Sequence, residues 1–205
     1  MSKPKVIIFD SPDPKAAYRA AICASTYAAD EAGYRCLITN FTDIVSENVN
    51  RFFALPLSKD GYKDRMNEEL PDFLGHSPNG IYELFNNFMI EKFGKAYFGR
   101  MMARRLHRDN LSGVYLIHEN TYPEGILAVA NEVGIVNMLI VSLSHPTAKY
   151  DADDARRNMS GYETNTVLNG IRKINLPVVP TPELTRLVIH GSIKDFLGVK
   201  ETSNA

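Results

Sequence analysis

The sequence predicts a three-layer α/β fold, in which a mostly parallel β-sheet carries helices on both faces. Short apolar runs typical of buried strands alternate with longer segments typical of helices, and this alternation favours parallel strands joined by helical crossovers. The first and the last helical segments open with a polar residue followed by proline, the pair favoured at the N-cap and the first helical position. These pairs are Asp13-Pro14 and Thr181-Pro182.

The first third of the chain predicts a β-α-β unit. The apolar run from Val6 to Phe9 predicts a buried strand, and the helix that begins at Pro14 is expected to end near residue 32, before Gly33. Residues 34–40 predict the second strand. Small side chains near one face of the helix would let it lie close to a sheet; they are Ala17, Ala20, Ala21, Ala24 and Ala28.

Residues 41–110 are predicted to form a helical insertion within a single domain that spans residues 1–205. Residues 77–94 predict an amphipathic helix, because their apolar residues recur at helical spacing. These residues are Ile81, Leu84, Phe85, Phe88 and Met89. Residues 95–109 predict a second helix, on which Arg100, Arg104 and Arg108 share one face because they repeat every four residues.

The remaining chain continues the alternation of strands and helices. The predicted order is strand 112–120, helix 122–134, strand 135–143, polar loop 144–165, helical segment 165–173, strand 176–180 and closing helix 181–197. Gly134 is expected to end its helix. The polar loop 144–165 is a candidate lid.

Net charge, apolar run lengths and cysteine content limit the partners and the location to be expected. The 205 residues carry a net charge of −1, so no global field attracts nucleic acid or anionic lipid, and no nucleic-acid partner is expected. No apolar run approaches the roughly 20 residues that span a bilayer. The residues before the first strand contain no signal-peptide h-region, so no signal peptide is expected. Cys23 and Cys36 form no metal-binding pattern, so no metal site is expected, and two reduced thiols favour a cytoplasmic location.

The stretch "IIFDSPDPKAAYRAA" (7–21) occupies the strand-to-helix turn where nucleotide-binding proteins keep a phosphate loop. Such a loop points backbone N–H groups at an anion, and Pro12 and Pro14 have none. Asp13, as N-cap, would fill the helix N-terminus with its own carboxylate, and Asp10 adds a second negative charge. Two unit charges about 4 Å apart repel by roughly 4 kcal/mol at an effective dielectric of 20. The turn is therefore predicted not to bind ATP in the usual way, and a simple capped connection explains most of the same residues.

Other candidates for binding lie in the second half of the chain. Arg100 and Arg104 would grip a monophosphate through their guanidinium groups, or form a solvated basic face. His118 and Glu119 end a strand, where α/β sheets place ligands; Glu119 would act as a base, hold a metal, or simply form a polar pair with His118. Tyr122 would stack on a base or pack.

Three segments carry a resemblance to a known family: "SPNGIYELFNNFMIEKFGKAYFGRMMARRL", "VYLIHENTYPEGILAVANEVG" and the closing "TPEL". In order and spacing over nearly the whole chain, the sequence resembles the deoxynucleoside monophosphate (dNMP) kinases of tailed bacteriophages, which have a P-loop kinase fold. The resemblance implies a P-loop kinase-like sheet.

The resemblance also assigns roles to individual positions. Lys15 falls at the family's P-loop lysine, but Pro12 and Pro14 stand where its glycines would be, a degenerate Walker A loop. Ala16 and Ala17 replace its polar residues, including the hydroxyl that would hold Mg²⁺.

In the second motif, Glu119 matches the family's catalytic aspartate and Tyr122 its Phe, whereas Thr121 stands in place of its arginine. Arg100 matches the arginine of its middle helix. "SGYE" (160–163) is an echo of its lid Ser-Glu.

The implied function is a kinase-like phage protein of the host cytoplasm with lost or altered ATP-dependent phosphoryl transfer, acting as a nucleotide-binding, regulatory or structural module. Its expected partners are a dNMP, another protein or a second copy. The alternative is an active dNMP kinase with an unorthodox loop, for which Mg-ATP would be the cofactor, so enzyme activity stays open.

A further alternative is a phosphatase. "VIIFDSPDP" is similar to the start of the haloacid-dehalogenase family, with Asp10 as nucleophile, but Pro12 occupies the place of that family's second acid.

Overall fold

The computed structural model describes residues 3–53, 65–71, 75–109, 113–118, 122–144 and 168–198. Five parallel strands form one sheet in the order β2-β3-β1-β4-β5, which confirms the α/β prediction. The strands are β1 (Lys5–Asp10), β2 (Cys36–Thr39), β3 (Val114–Ile117), β4 (Met138–Ser144) and β5 (Arg172–Pro177). The helices are α1 (Pro14–Asp30), α2 (Phe41–Phe53), α3 (Pro78–Phe93), α4 (Tyr97–Asp109), α5 (Pro123–Val133) and α6 (Pro182–Leu197).

Helices cover both faces of the sheet. The even-numbered residues of β1, such as Val6 and Ile8, contribute to a core with α2, α4 and α5, whereas Ile7 and Phe9 contribute to a core with α1 and α6. Right-handed crossovers explain the division, because β1 connects to β2 in one direction across the sheet while β3 connects to β4 in the other. Each side of β1 is therefore buried, as its continuous apolar run predicts.

Local signals place the ends of several helices correctly. The side chain of Asp13 caps α1 and Pro14 begins it, and the helix ends at Asp30, two residues short of the predicted end. Thr181 caps α6 in the same way, and Gly134 follows the end of α5. The five alanines of α1 that the sequence places near one face are all buried, and Ala16 is buried with them.

Helix α2 is an element that the sequence reading left unassigned. Its start is a capping box, because the Asn40 side chain accepts from the backbone N–H of Asp43 at 2.5 Å and the Asp43 carboxylate accepts from that of Asn40 at 3.1 Å. The Thr39 hydroxyl also donates to Asp43, at 3.2 Å. Two orphan N–H groups are thereby satisfied at the end of β2.

Two predictions about local structure were wrong. Strand β5 begins at Arg172, within the predicted helical segment 165–173, and ends at Pro177. Pairing with β4 along its whole length decides this, since the segment itself lacks strong strand patterning. On α3, Leu84 and Phe88 belong to the predicted apolar face but are 53% and 51% exposed, because neighbouring helices cover only part of that face.

The candidate lid, 144–165, lies outside the described residues apart from Ser144, which ends β4. Parts of the insertion 41–110 also lie outside them. Within the described ranges, no helix combines the length and the hydropathy needed to cross a membrane.

Candidate functional site

The topology points to the carboxyl end of β1 as a ligand site. Strand β1 lies between β3 and β4, and its outgoing connection runs toward β2, whereas those of β3 and β4 run the opposite way. Open parallel sheets bind ligands at such a reversal, outside the carboxyl ends of the strands. The turn from Asp10 to Lys15 lies there, next to His118 at the end of β3.

The backbone donors of this turn are occupied within the protein. The N–H of Asp13 donates to Ser11 Oγ at 3.1 Å, and that of Lys15 donates to Asp13 Oδ1 at 3.0 Å. The N–H groups of Ala16 and Ala17 donate to the Asp13 carbonyl at 3.0 and 3.2 Å. Pro12 and Pro14 have no N–H. From Pro12 to Ala17, every N–H that exists is already bonded, and a phosphate would have to displace one of these bonds.

The side chains of the turn divide into buried and exposed groups. Asp10 is 1% exposed and Ser11 is 7% exposed, so both lie within the fold. The burial of Asp10 argues against a nucleophile that must reach a substrate in solution. Lys15 is exposed on the first turn of α1, and Ala16 and Ala17 pack inward without a hydroxyl to offer a metal ion.

His118 is held by its neighbours at the same edge. Its backbone N–H donates to the Thr39 carbonyl at 3.3 Å, and its ring lies edge-on to Tyr18, with centroids 4.9 Å apart. Tyr18 belongs to the outer face of α1 and is 49% exposed. His118 is therefore half-buried beside α1.

Tyr122 stands at the N-cap position of α5 and forms no side-chain cap. The Lys95 ammonium lies over its ring, 5.3 Å from the centroid, a cation–π arrangement. A base stacked on this ring would compete with Lys95.

The two arginines proposed as phosphate ligands are both exposed on α4. Arg100 Nη2 donates to the Phe93 carbonyl at 2.7 Å, which caps the end of α3. The neighbouring Arg105, not predicted as a site residue, pairs instead with Glu47 at 3.0 Å. Arg104 lies one helical turn beyond Arg100, farther from the carboxyl edge, because α4 leads toward the start of β3.

A small cavity opens beside the turn, on the α1 side of the sheet. It has a volume of about 20 Å³, room for a water molecule rather than a nucleotide base. Apolar groups of α1, β4, β5 and α6 line most of it, and Arg19 and Thr185 supply its polar groups. The described residues thus offer no preformed pocket for a base at this place.

The described ranges show neither a cluster of metal ligands nor a reactive cysteine. Those ranges contain no group of three or more His, Cys, Asp or Glu side chains that could hold a metal ion. Cys23 and Cys36 are free thiols, and burial raises the pKa of each, which keeps them protonated and weakly nucleophilic at neutral pH.

Several predicted site residues lie outside the described residues: Glu119, Thr121 and the segment 160–163. The sequence reading missed three described participants, Ser11, Tyr18 and Lys95. A serine two residues before an N-cap aspartate is a signal for a local side-chain turn and could have identified Ser11. Tyr18 and Lys95 carry no such signal, because their contacts join separate elements.

Comparison with protein-family models gives no match, and comparison with curated proteins gives no match either.

Proposed function

We propose that this protein is a kinase-like α/β protein that does not transfer phosphoryl groups from ATP in the usual way. It acts as a nucleotide-binding, regulatory or structural module, and the phage dNMP kinase resemblance makes a dNMP its first candidate ligand. Phosphoryl transfer depends almost entirely on positioning and electrostatics, so loss of the phosphate cradle removes the main source of catalysis.

The observation that carries this proposal is the occupied backbone of the turn after β1. In a working phosphate loop, the N–H groups at the start of the helix are directed at the ligand. Here Asp13 accepts the N–H of Lys15 with its carboxylate and those of Ala16 and Ala17 with its carbonyl. An incoming phosphate would meet a carboxylate in place of free donors.

The charges around the turn support the same conclusion. Asp10 and Asp13 flank the position, and Lys15 is the nearby exposed cation of α1 that the family resemblance assigns to phosphate. One lysine does not balance two carboxylates and a triphosphate. Ala16 and Ala17 also supply no ligand for the magnesium ion that accompanies ATP.

Isothermal titration of the purified protein with Mg-ATP, and separately with each of the four dNMPs, tests the proposal. We expect no saturable Mg-ATP binding up to millimolar concentration and saturable binding of at least one dNMP. The variants H118A and Y122A should weaken dNMP binding if the ligand lies at the carboxyl edge of the sheet. Micromolar Mg-ATP binding by the wild-type protein would overturn the proposal.

The alternative, an active dNMP kinase, is favoured by one feature: Lys15 is exposed at the first turn of α1, directly after the central strand. It predicts Mg-ATP binding that K15A abolishes and that K92A, which removes an exposed lysine of α3, leaves unchanged. ATP turnover in the presence of a dNMP would then follow. If no nucleotide binds, the fold serves as a scaffold, and protein partners become the subject of the search.

A further inference from the structure

Basic residues are concentrated in one short part of the chain. Between residues 92 and 108 the sequence has six Lys or Arg residues and no Asp or Glu, although the whole protein has 23 basic and 24 acidic residues. The six are Lys92, Lys95, Arg100, Arg104, Arg105 and Arg108. The near-neutral total therefore hides a positive surface on the end of α3 and on α4, and such an asymmetry is the electrostatic footprint of a polyanion partner.

Helix α4 presents three of these arginines to solvent along one line. Arg100, Arg104 and Arg108 are exposed, whereas the opposite side of the helix is buried in the core through Phe98, Met102 and Leu106. Residues four apart rise by about 6 Å along a helix, so the guanidinium groups form an evenly spaced row. We call this row the arginine stripe.

Two members of the arginine stripe, Arg100 and Arg104, keep N–H groups available to an external ligand. Arg105, which lies to one side of it, is paired with Glu47 at 3.0 Å. Within the described part of the chain, Arg104 forms no ion pair. Arg100 uses one nitrogen to cap α3, which leaves its remaining N–H groups to an external acceptor.

A pair of aromatic side chains lies beside Arg100, at the N-terminal end of the arginine stripe. Phe93 stacks on Tyr97 with ring centroids 5.2 Å apart and an angle of 27° between the planes, yet it remains 52% exposed. The hydrogen bond from Arg100 to the Phe93 carbonyl, 2.7 Å long, holds the first arginine of the stripe beside this pair. A large apolar ring kept at the surface next to cations has no evident role in the core.

We propose that the arginine stripe and the Phe93–Tyr97 pair form a binding surface for single-stranded nucleic acid. The guanidinium groups of Arg100 and Arg104 meet successive phosphates of an extended strand, and a base stacks on the exposed face of Phe93. The exposed aromatic ring favours a single strand, since the bases of a duplex are not free to stack on a protein ring. This surface is separate from the turn after β1 and does not depend on the function proposed above.

Fluorescence anisotropy of a labelled 20-nucleotide oligothymidine, measured from 50 to 200 mM salt, tests the surface. Phosphate contacts from Arg100 and Arg104 predict about a sevenfold loss of affinity over that range, with a slope near −1.4 in the logarithmic plot. R104A should reduce the slope by roughly 0.7, so that the loss falls to about 2.6-fold. R172A removes an equally exposed arginine from strand β5 and should behave as the wild-type protein.

The aromatic contribution is tested by F93A with the same oligonucleotide. Loss of one stacked base should weaken binding about fivefold or more without changing the salt slope. Circular dichroism confirms that each variant is folded, and R104A alone keeps the test valid if F93A is not. No binding at 50 mM salt, or equal effects of R104A and R172A, would refute the proposal.

Tighter binding to a duplex of equal length, unaffected by F93A, would also refute it and indicate a duplex surface. Binding only to vesicles containing anionic lipid would refute it in favour of a membrane-surface role.

Discussion

The two faces of the sheet are covered by helices in different ways. On one face, α1 approaches the sheet closely because the side chains that it buries are all alanine, six in number. On the other face, larger side chains such as Met102 and Leu106 fill the space between the helices and the sheet. The close contact on this face is between the backbones of two helices. There, α4 and α5 touch at Gly99 and Gly125, where a Cβ added to Gly99 would lie 2.0 Å from the Gly125 carbonyl oxygen.

The difference shows that close packing can depend on small residues within one helix or on a contact between residues that are far apart in the sequence. The alanines of α1 form a stripe along one helix, so their spacing in the sequence is enough to predict it. The Gly99–Gly125 contact joins two helices, and neither segment alone shows that its glycine is needed.

Gly99→Ala should destabilise the protein by about 3 kcal/mol or more, because the new methyl group meets backbone that cannot move aside. Gly191→Ala is the matched control, since Gly191 is an exposed glycine within α6 whose added Cβ meets nothing within 4 Å. It should stabilise by about 0.5–1 kcal/mol through helix propensity. Urea unfolding measures both. A Gly99→Ala variant as stable as the wild type would disprove the close α4–α5 contact.

Ala24→Leu should lower the free energy of unfolding by about 2 kcal/mol. Ala24 is a fully buried residue of α1 in the core on this face of the sheet, and a larger side chain would push the helix outward. Ala29→Leu, at an exposed position of the same helix, should change stability by no more than about 0.5 kcal/mol. Thermal unfolding of the two variants decides the point. Equal effects would mean that α1 is not held close to the sheet by its small residues.

Asp13→Ala should cost about 1 kcal/mol, the usual value for a lost N-cap, and lower the melting temperature by about 2–4 °C. Thr181→Ala removes the corresponding cap of α6, whose hydroxyl accepts from the Leu184 N–H at 3.3 Å, and should cost a similar amount. Only the Asp13 variant should also change anion binding at the turn after β1. Titration with inorganic tripolyphosphate separates the two, and an equal response would remove the special role of Asp13.

His190 gives the smallest predicted effect. Its Nε2 lies 3.2 Å from the Cys23 carbonyl and its ring 4.4 Å from that of Tyr27, and burial between α1 and α6 lowers its pKa, with nearby Arg186 acting in the same direction. The unfolded chain then binds the proton more readily, so this contribution is complete above about pH 6.5 and is lost as the pH falls through the lower folded pKa.

Urea unfolding at pH 7.5 and pH 5.0 should show a smaller loss of stability on acidification for His190→Asn than for the wild type. His107→Asn, at an exposed ring 3.4 Å from Glu132, should retain the wild-type loss. A wild-type pH dependence in His190→Asn would contradict the prediction.

The sequence anticipated the α/β class, most helix starts and the alanine stripe, yet it misjudged three regions. It left α2 unassigned although Asn40 and Asp43 carry a capping signal, and it placed a helical segment across the start of β5. It also placed Leu84 and Phe88 on the apolar face of an amphipathic helix, whereas both are about half exposed. Periodicity states which residues could be buried, but only the neighbouring helices decide which of them are.

The candidate site was anticipated in part. Asp13 as an N-cap and the two prolines that lack an N–H could be read directly, because a cap and its helix are adjacent in the chain. The role of Ser11, the contact of Tyr18 with His118, and the contact of Lys95 with Tyr122 required the folded chain. The sequence predicted Arg100 as a phosphate ligand but gave no sign that its guanidinium group donates a hydrogen bond to the Phe93 carbonyl.

By itself, the sequence determined most of the elements and several of their capped starts, because these depend on residues within a few positions of one another. The tertiary structure decided the strand order, with β1 between β3 and β4, and so the edge at which ligands would bind. It also brought Phe93, Tyr97 and Arg100 together at one end of a basic helix. These arrangements join separate elements, and local patterns of hydrophobicity and charge do not specify which partner an element will meet.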